Sequence, residues 1–193
     1  MSRNHDILEI RWHGRAGQGV VTAAETLAEI LAHEGKFVQA FPNFGAEKRG
    51  APISAYNRIS SKPITIHQEI TNPQIVVVTD PTLLGLINFA EGTPDDGIII
   101  TNSTLDPAYI KERLKLHPRK VYSIDAYRIA NEEIGRPIPN IPMLSALFKV
   151  TGMMDMEKFK ERVRKSLEKK LKKEVVEANL RTIERAYKEV KGS

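Results

Sequence analysis

Apolar residues recur with two different periods along this chain, and the switches between them predict an alternating series of strands and helices. Alternation over residues 7–13 predicts a strand, which a glycine-rich turn follows at residues 14–19. Residues 20–34 place their apolar side chains on one helical face, and Gly35 suits the end of that helix. A second strand is predicted at residues 36–41. A strand, turn, helix and strand in this order are typical of the start of an open α/β sheet.

The middle of the chain adds strands of two kinds. Residues 53–59 and 63–70 have the pattern of short strands with no helix between them, which predicts an antiparallel hairpin. Residues 74–79 are almost purely β-branched, as in a parallel strand that is buried on both faces. Asp80 and Pro81 suit the N-cap and first position of a helix, so a helix is expected there. The remaining predicted elements are strands at 97–101 and 121–125 and helices at 126–134 and 143–150.

A long amphipathic helix is predicted at the end of the chain. Asp155 suits its N-cap, apolar residues follow at steps of three and four, and a break is expected near residues 177–179. We therefore predict an α/β domain over residues 1–154 and a C-terminal helical extension over residues 155–193. The predicted fold is an open, mostly parallel, Rossmann-like or flavodoxin-like sheet with helices on both faces, together with the hairpin and the extension.

Composition is that of a globular protein, with 41% apolar and 27% charged residues. No run approaches the ~18 consecutive apolar residues that a membrane span needs, so no membrane partner is expected. The N-terminus lacks the apolar stretch and small-residue cleavage site of a signal peptide. We therefore expect a cytoplasmic protein.

Cysteine is absent from the chain. Iron–sulfur clusters need thiolate ligands, so this chain alone cannot hold one, and disulfides, cysteine zinc sites and a cysteine nucleophile are excluded with them. The five histidines are scattered and form no short-spaced pair, so no metal site is expected. No serine-hydrolase, zinc-protease or kinase signature occurs either. We expect no catalytic residue and no bound cofactor on this chain alone.

The net charge of +5 is concentrated in one segment of the chain. Residues 157–174 hold nine Lys or Arg and four Glu, so the remainder is neutral and is not a general polyanion binder. This basic segment is either a solvated helix face or a surface for acidic protein, nucleic acid or another anionic surface. No aromatic residues alternate with its cations, and we expect no nucleic-acid partner. The many charges and the missing cysteine are typical of thermophilic proteins.

The glycine-rich turn carries the first candidate site. Its residues are Gly14, Arg15, Gly17, Gln18 and Gly19. Free amides in such a turn, with the N-terminus of the following helix, can hold a phosphate or contact a partner. Alternatively, the glycines only permit close packing of strand on helix. The spacing differs from the dinucleotide-binding fingerprint, and Val20 and Val21 stand where a P-loop has Lys and a hydroxyl residue.

A second candidate site lies in the loop between Pro42 and Pro52. Its residues are Glu47, Lys48, Arg49 and Gly50. Arg49 offers a planar fork of donors for a carboxylate or phosphate, and Glu47 can orient it. The alternative is a solvated surface loop, although functional residues do concentrate on loops that a rigid sheet holds in place.

Two single residues also carry two interpretations each. Asp80 follows a buried strand at the carboxyl edge, where open α/β sheets bind ligands, but it also suits a helix cap. His13 precedes the glycine turn and is either a hydrogen-bonded structural residue or a proton-transfer group.

Several of these segments resemble one known family, the gamma subunits of pyruvate and related 2-oxoacid:ferredoxin oxidoreductases. Residues 13–24 are similar to the family's opening, H-G-R-x-G-Q-G-x-V-T-A-A, and residues 41–52 to its loop, F-P-x-x-G-x-E-x-R-G-A/G-P. Residues 76–84 and 140–152 resemble two later segments, a strand followed by D-P-x-L-L and an N-x-x-x-L-G-A…T-G stretch. The likeness runs in chain order over roughly residues 7–152.

The resemblance implies a multi-subunit enzyme that converts a 2-oxoacid, coenzyme A and oxidised ferredoxin into acyl-CoA, CO2 and reduced ferredoxin. In such an enzyme, thiamine diphosphate with magnesium lies between the alpha and beta subunits, and iron–sulfur clusters lie on beta and on a ferredoxin-like delta subunit. The gamma subunit helps to shape access for coenzyme A. The two candidate sites are therefore expected to face the alpha/beta active site. Pyruvate, giving acetyl-CoA, is the expected substrate.

A free-standing, flavodoxin-like binding module is the alternative to an oxidoreductase subunit. It would hold a phosphate-containing ligand on the glycine turn, and the isolated chain would bind a nucleotide. An oxidoreductase gamma subunit is expected to bind one weakly or not at all on its own.

Overall fold

A seven-stranded sheet with the order β2-β3-β1-β4-β5-β6-β7 forms the centre of the molecule. The computed structural model describes residues 7–43, 50–169 and 171–193. Neighbouring strands β1, β4, β5 and β6 run parallel, β3 lies antiparallel between β2 and β1, and β7 is antiparallel to β6. The strands are β1 (Ile7–Arg15), β2 (Phe37–Asn43), β3 (Pro52–Ser60), β4 (Ile75–Val78), β5 (Ile98–Asn102), β6 (Lys120–Ile124) and β7 (Lys191–Gly192).

Six α-helices surround this sheet in the described part of the chain. They are α1 (Val20–Ala32), α2 (Pro107–Arg113), α3 (Ala126–Ile134), α4 (Asn140–Thr151), α5 (Met156–Leu167) and α6 (Lys173–Glu189). Aspartates begin three of them, because Asp106, Asp125 and Asp155 each accept a hydrogen bond from a backbone N–H of the first turn. The predicted bounds of α3 are confirmed, and so is the N-cap role of Asp155.

The core lies on both faces of the sheet, which accounts for the apolar runs of the inner strands. On one face, Ile10 and Trp12 of β1 pack with the buried sides of α1, α4 and α6. On the other face, Val76 and Val78 of β4 pack with Ile110 of α2 and with the segment that follows β4. All four residues of β4 are buried, as expected for a central parallel strand. The predicted open, mostly parallel sheet with helices on both faces is therefore confirmed.

The predicted hairpin between residues 53–59 and 63–70 is wrong. The first of these segments forms β3, but it pairs with β2 on one side and β1 on the other. Residues 61–74 form no strand. The Arg58 side chain instead donates to the carbonyl oxygens of Ile66 and Gln68, at 3.5 and 2.5 Å, so side-chain bonds hold this segment where a strand was predicted.

Two further predictions need correction in the second half of the chain. The helix expected at Asp80 and Pro81 is a single 3-10 turn, Pro81–Leu83, and Gly85 follows it with a positive φ of 84°. The C-terminal helix breaks at residues 168–172, between α5 and α6, and not near residues 177–179. The apolar stripe continues through residues 177–179, because Ala178 and Asn179 are buried within α6. Helix α2 and strand β7 were not predicted.

The C-terminal helices pack on this chain's own sheet layer. Phe159 of α5 lies 4.6 Å from Phe148 of α4 between ring centroids, and Ile183 of α6 is buried in the same core. The division into residues 1–154 and 155–193 stays a prediction. No helix among the described residues is long and apolar enough to cross a membrane.

Candidate functional site

The candidate site lies where the carboxyl ends of β1, β4 and β5 meet at one edge of the sheet. The chain leaves β1 towards β2 on one side and returns as β4 on the other side of β1. Such a reversal of strand order opens a crevice in which open α/β proteins commonly bind ligands. Three segments meet there: the turn at residues 14–19, which begins within the last two residues of β1, Asp80 after β4, and Asn102 at the end of β5.

Glycine is needed in the turn for two different reasons. A Cβ atom on Gly14 would overlap Thr79 Oγ1 and Val20 Cγ2, so this residue lets β1 approach β4 and α1 closely. Gly17 and Gly19 have φ angles of 92° and 75°, which side chains with a Cβ rarely adopt. Gly14 therefore fits the packing interpretation, while Gly17 and Gly19 set the course of the turn into α1.

Gln18 connects the turn to two other segments through its side-chain amide. Its Oε1 atom accepts a hydrogen bond from the Arg15 backbone N–H at 2.8 Å, which closes the turn. Its Nε2 atom donates to Asp80 Oδ2 at 2.5 Å and to the Tyr127 hydroxyl at 2.8 Å. One side chain thus fixes the ends of β1 and β4 and the start of α3 relative to each other.

Asp80 is a buried, ionised carboxylate at the centre of this network, with 4% of its surface exposed. Burial opposes its ionisation, but hydrogen bonds from Thr82 and Gln18 and the nearby Arg15 charge outweigh it, so the pKa of Asp80 is below its usual value. Burial and the charge of Asp80 raise the pKa of Tyr127 to about 12, which keeps the phenol neutral. Asp80 caps the 3-10 turn as well, since Oδ1 accepts from the Thr82 backbone N–H at 2.8 Å.

Arg15 ties the turn to the end of the second candidate loop. Its Nη1 atom donates to the Gly50 carbonyl oxygen at 2.7 Å, and Nε and Nη2 donate to Thr82 Oγ1 at 3.1 and 3.0 Å. Nε also lies 3.3 Å from Asp80 Oδ2. The guanidinium is therefore already held by contacts within the chain, so its position suits an organising residue better than a free anion ligand.

A cavity of about 380 Å³ opens beside this network, between the segments that follow β4 and β5. Leu84, Ile110 and Leu114 give it an apolar side, and Asn102 and Tyr127 join it to the network. The same two segments also carry three of the exposed large apolar side chains. They are Leu86, Leu105 and Tyr109, with 63%, 42% and 51% of their surface exposed.

Comparison with known proteins assigns this architecture to a family. The family model described as pyruvate ferredoxin/flavodoxin oxidoreductase matches residues 9–189. The chain belongs to this family. The match covers β1 from residue 9 onwards, strands β2 to β6 and the site, and it extends through α5 and α6, so the C-terminal helices belong to the family's pattern too.

Relatives of this oxidoreductase family member match nearly its whole length. It is 45% identical to the pyruvate synthase subunit PorC of Thermotoga maritima, over 96% of this chain and 95% of the relative. It is 44% identical to the common subunit gamma of the pyruvate/ketoisovalerate oxidoreductases of Pyrococcus furiosus, over 94% and 96%. The crystal structure of the Thermotoga maritima pyruvate oxidoreductase subunit PORC has a TM-score of 0.84 at 42% identity, covering 97% and 99%.

The structure brings part of the predicted site of this oxidoreductase chain together. Arg15, Gln18 and Gly50 meet in one network with the glycines of the turn. The other three predicted loop residues, Glu47, Lys48 and Arg49, lie outside the described residues. The predicted site therefore remains a prediction, although its first half and the last residue of its second half are neighbours.

Sequence reasoning missed Thr82, Asn102 and Tyr127. The side chain of Asn102 donates to the Thr79 carbonyl oxygen and accepts from the Ala126 backbone N–H, both at 2.9 Å, which links β4, β5 and α3. The sequence carried one signal for Asn102, which is its position. It directly follows the predicted strand at residues 97–101, as Asp80 follows the predicted strand at residues 74–79.

The electrostatics of the network limit what it can bind. A phosphate beside Gln18 would face the buried negative charge of Asp80, so the turn does not suit an anion.

His13 is 8% exposed, and burial together with the Arg11 charge lowers its pKa to about 4. A histidine that is neutral at pH 7, with Nδ1 placed 3.2 Å from Ser54 Oγ, fits the structural interpretation. No three metal-binding side chains cluster within the described ranges.

Proposed function

We propose that this chain is the gamma subunit of a pyruvate:ferredoxin oxidoreductase, which converts pyruvate, coenzyme A and oxidised ferredoxin into acetyl-CoA, CO2 and reduced ferredoxin. The observation that carries the proposal is the family match over residues 9–189, together with the 45% identity to a pyruvate synthase subunit along nearly the whole chain. The chain acts in this reaction only as part of the complex.

We propose that the alpha, beta and delta subunits hold the cofactors of the enzyme, namely thiamine diphosphate with magnesium and the iron–sulfur clusters. For the clusters, the lack of cysteine in this chain supports the proposal, because iron–sulfur clusters need thiolate ligands. The complex works in the cytoplasm and delivers electrons to ferredoxin.

We also propose that other subunits determine which 2-oxoacid the enzyme accepts. The relative from Pyrococcus furiosus is named as a common subunit of pyruvate and ketoisovalerate oxidoreductases. A subunit that serves two oxoacids carries little of the discrimination between them. The present chain is 44% identical to that relative. Its proposed contribution is accordingly to assembly of the complex and to the access of coenzyme A, the substrate that both oxidoreductases share.

The carboxyl edge of the sheet is proposed to face the alpha/beta active site and to shape coenzyme A access. Two features support this orientation: the strand-order reversal between β1 and β4, and the exposed Leu86, Leu105 and Tyr109 beside it, which suit burial against a partner. Arg15 holds Gly50 and so anchors the loop that carries Lys48 and Arg49. These two cations are proposed to meet the phosphates of coenzyme A.

A free-standing phosphate-binding module is less well supported. It needs an anion on the glycine turn, where the buried carboxylate of Asp80 hydrogen-bonds to Gln18. A protein that works alone would also leave the exposed apolar side chains at the same edge without a partner surface to cover them.

Arg49→Ala tests the coenzyme A role in the assembled enzyme. We expect the KM for coenzyme A to rise at least tenfold, because a lost charge-assisted hydrogen bond costs roughly 1.5–3 kcal/mol, while the KM for pyruvate stays within about twofold. Steady-state kinetics of ferredoxin reduction measure both constants. Lys120→Ala, at an exposed lysine, is the matched control.

An intact Arg49→Ala complex with an unchanged KM for coenzyme A would remove Arg49 from this role. Purification of the wild-type chain as a lone 21.7 kDa species would contradict the subunit assignment itself.

A further inference from the structure

A second surface consists of a groove between α5 and α6. This α5–α6 groove has a volume of about 320 Å³ and lies between α1, the segment 134–141, and the two C-terminal helices. Most of its lining is apolar. The apolar side chains are Ile30, Ile134, Ile138, Ile141, Val163, Leu167, Leu171 and Val175.

Three of these side chains are unusually exposed. Ile138, Leu171 and Val175 have 38%, 42% and 37% of their surface accessible, against 2% for Val163 in the floor of the groove. They are three of the seven exposed large apolar side chains in the described ranges, and all three line this one groove. Apolar side chains gathered in one concave surface are typical of an interaction site, whereas scattered ones need no explanation.

The described cations of the basic segment divide into two groups, while the ninth cation, Lys170, lies outside the described residues. The first five cations are paired within the chain. Lys158 and Arg162 contact Glu34, Lys160 contacts Glu184, Arg164 contacts Glu177, and Lys165 contacts Glu161. Four of these cations join α5 to Glu34, which follows α1, or to α6, and Lys165 pairs within α5, so five of the nine cations of the basic segment serve the fold.

The second group of cations lies along the chain between Leu167 and Val175, two groove residues of α5 and α6, and has no acidic partners among the described residues. Lys169, Lys172 and Lys173 are exposed beside Leu171, and the structure shows no ion pair for them among the residues it describes. Arg136, in the groove wall opposite, is also exposed and shows none within the same ranges. Glu168 and Glu174 are the acidic residues of the same connection, which leaves the rim of the groove positive.

A basic cleft continues the groove along α5. It measures about 490 Å³ and shares Ile30 and Ser166 with the groove. Arg162, Lys165 and Lys169 line it, together with His33, Glu29 and Glu168. Arg162 and Lys165 are already paired with Glu34 and Glu161, which leaves Lys169 as the cation of the cleft without an ion pair among the described residues. An apolar groove with Arg136 in its wall and Lys169 beyond it is complementary to a chain segment with apolar side chains at one end and carboxylates at the other.

We propose that the α5–α6 groove docks an acidic, amphipathic segment of another subunit of the enzyme. Apolar side chains of that segment enter between Ile138, Leu171 and Val175, and its carboxylates meet Lys169, Lys172, Lys173 and Arg136. The identity of the partner rests on the proposed function, whereas the chemistry of the segment rests on the groove. No aromatic side chain lines the groove, so it offers nucleic-acid bases nothing to stack on.

Lysine acetylation of the intact complex and of the isolated full-length chain tests this docking. We expect the acetylation rates of Lys169, Lys172 and Lys173 to fall at least fivefold on assembly. Lys111 and Lys120 lie in α2 and β6, which contribute no residue to the groove or to the cleft, and should change less than twofold. Mass spectrometry reads each site separately. Equal rates for the three groove lysines in the complex and in the isolated chain would overturn the proposal.

Reassembly of the complex with variant chains provides the second measurement. Leu171→Ser with Val175→Ser and, separately, Lys172→Glu with Lys173→Glu should each raise the dissociation constant at least tenfold. The charge variant should also lose the salt dependence of association. Phe37→Ser, 46% exposed on the edge strand β2, and Lys111→Glu with Lys120→Glu are the controls and should reassemble like the wild type. Circular dichroism checks that each variant is folded.

Four outcomes would contradict the proposal that this groove docks a segment of another subunit. Wild-type affinity in both groove variants would overturn this inference but leave the subunit assignment standing. A wild-type chain that joins no other subunit would overturn both. A homodimer of the isolated chain that Leu171→Ser with Val175→Ser dissociates would make a second copy the occupant. Protection of the same lysines by an RNA oligonucleotide would make the surface a nucleic-acid site.

Discussion

At the scale of single residues, Gly14 shows how one missing side chain fixes a junction of the fold. The residue lies in β1, where an added Cβ would overlap Thr79 Oγ1 in the neighbouring segment and Val20 Cγ2 at the start of α1. Both neighbours are buried, at 0% and 1% exposure, and have little room to move. Close packing, and not an open anion site, is therefore the main reason for glycine at this position.

Gly14→Ala should destabilise the isolated chain by about 2–4 kcal/mol, because overpacking forces the strand and helix apart. Gly17→Ala is the matched control, since nothing lies within 4 Å of its added Cβ and only its φ of 92° is strained. The free energy of unfolding of that variant should fall by about 1 kcal/mol. Urea unfolding measures both values, and a smaller loss for Gly14→Ala than for Gly17→Ala would contradict the packing argument.

His13 should make stability depend on pH. Burial and the charge of Arg11 lower its folded-state pKa from 6.5 to about 4, so only the unfolded chain takes up this proton between those values. The stabilising effect is fully present above about pH 6.5 and is lost as the pH falls towards 4, by up to about 3 kcal/mol. His13→Asn should flatten the loss of unfolding free energy between pH 7 and 5, relative to wild type. His67→Asn, at an exposed histidine, should keep the wild-type slope, and equal slopes in all three proteins would contradict the assignment.

Local residue roles could be predicted from the sequence, but contacts between distant segments could not. The cap residue Asp155 depends on its own helix, so the sequence around it was sufficient. The Gln18–Asp80 contact joins residues 62 positions apart and depends on the order of the strands. Sequence reasoning placed both residues near the carboxyl edge but had no means to bring them together.

At the scale of elements, strands were easier to predict than their partners. The alternating pattern of residues 53–59 identified β3, yet β3 lies between β2 and β1 and not beside residues 63–70. Periodicity reports that a segment has two faces and says nothing about which strand lies alongside it. The same limit applies to the helical stripe of the C-terminal region, which continues smoothly across the break at residues 168–172.

Helix α5 should be essential to the stability of the sheet domain, since Phe159 is fully buried against Phe148. Phe159→Ala should cost about 3–5 kcal/mol, as for other large-to-small changes at buried aromatic residues. Leu86→Ala, at a side chain that is 63% exposed, should change the unfolding free energy by less than about 0.5 kcal/mol. Differential scanning calorimetry of the isolated chain separates the two, and a fully stable Phe159→Ala protein would show that α5 is dispensable.

At the scale of the whole molecule, the chain presents two surfaces with different chemistry. The carboxyl edge combines exposed apolar side chains with a rigid, internally neutralised network around Asp80. The α5–α6 groove combines exposed apolar side chains with nearby cations that have no ion-pair partner among the described residues. A gamma subunit with two separate contact surfaces would be fixed in orientation within the complex, because a single contact patch leaves rotation about it unconstrained.

Charge placed on the carboxyl edge should therefore prevent assembly without unfolding the chain. Leu86→Glu with Tyr109→Glu puts two carboxylates where the proposed interface is apolar, and a buried unpaired charge costs several kcal/mol. Native mass spectrometry should show the variant chain free and the other subunits without it, while Phe37→Glu, on the edge strand β2, should assemble normally. Normal assembly of the edge variant would mean that this edge faces solvent. Coenzyme A would then have to reach the active site without passing this edge, because a surface left open in the complex cannot line a route into it.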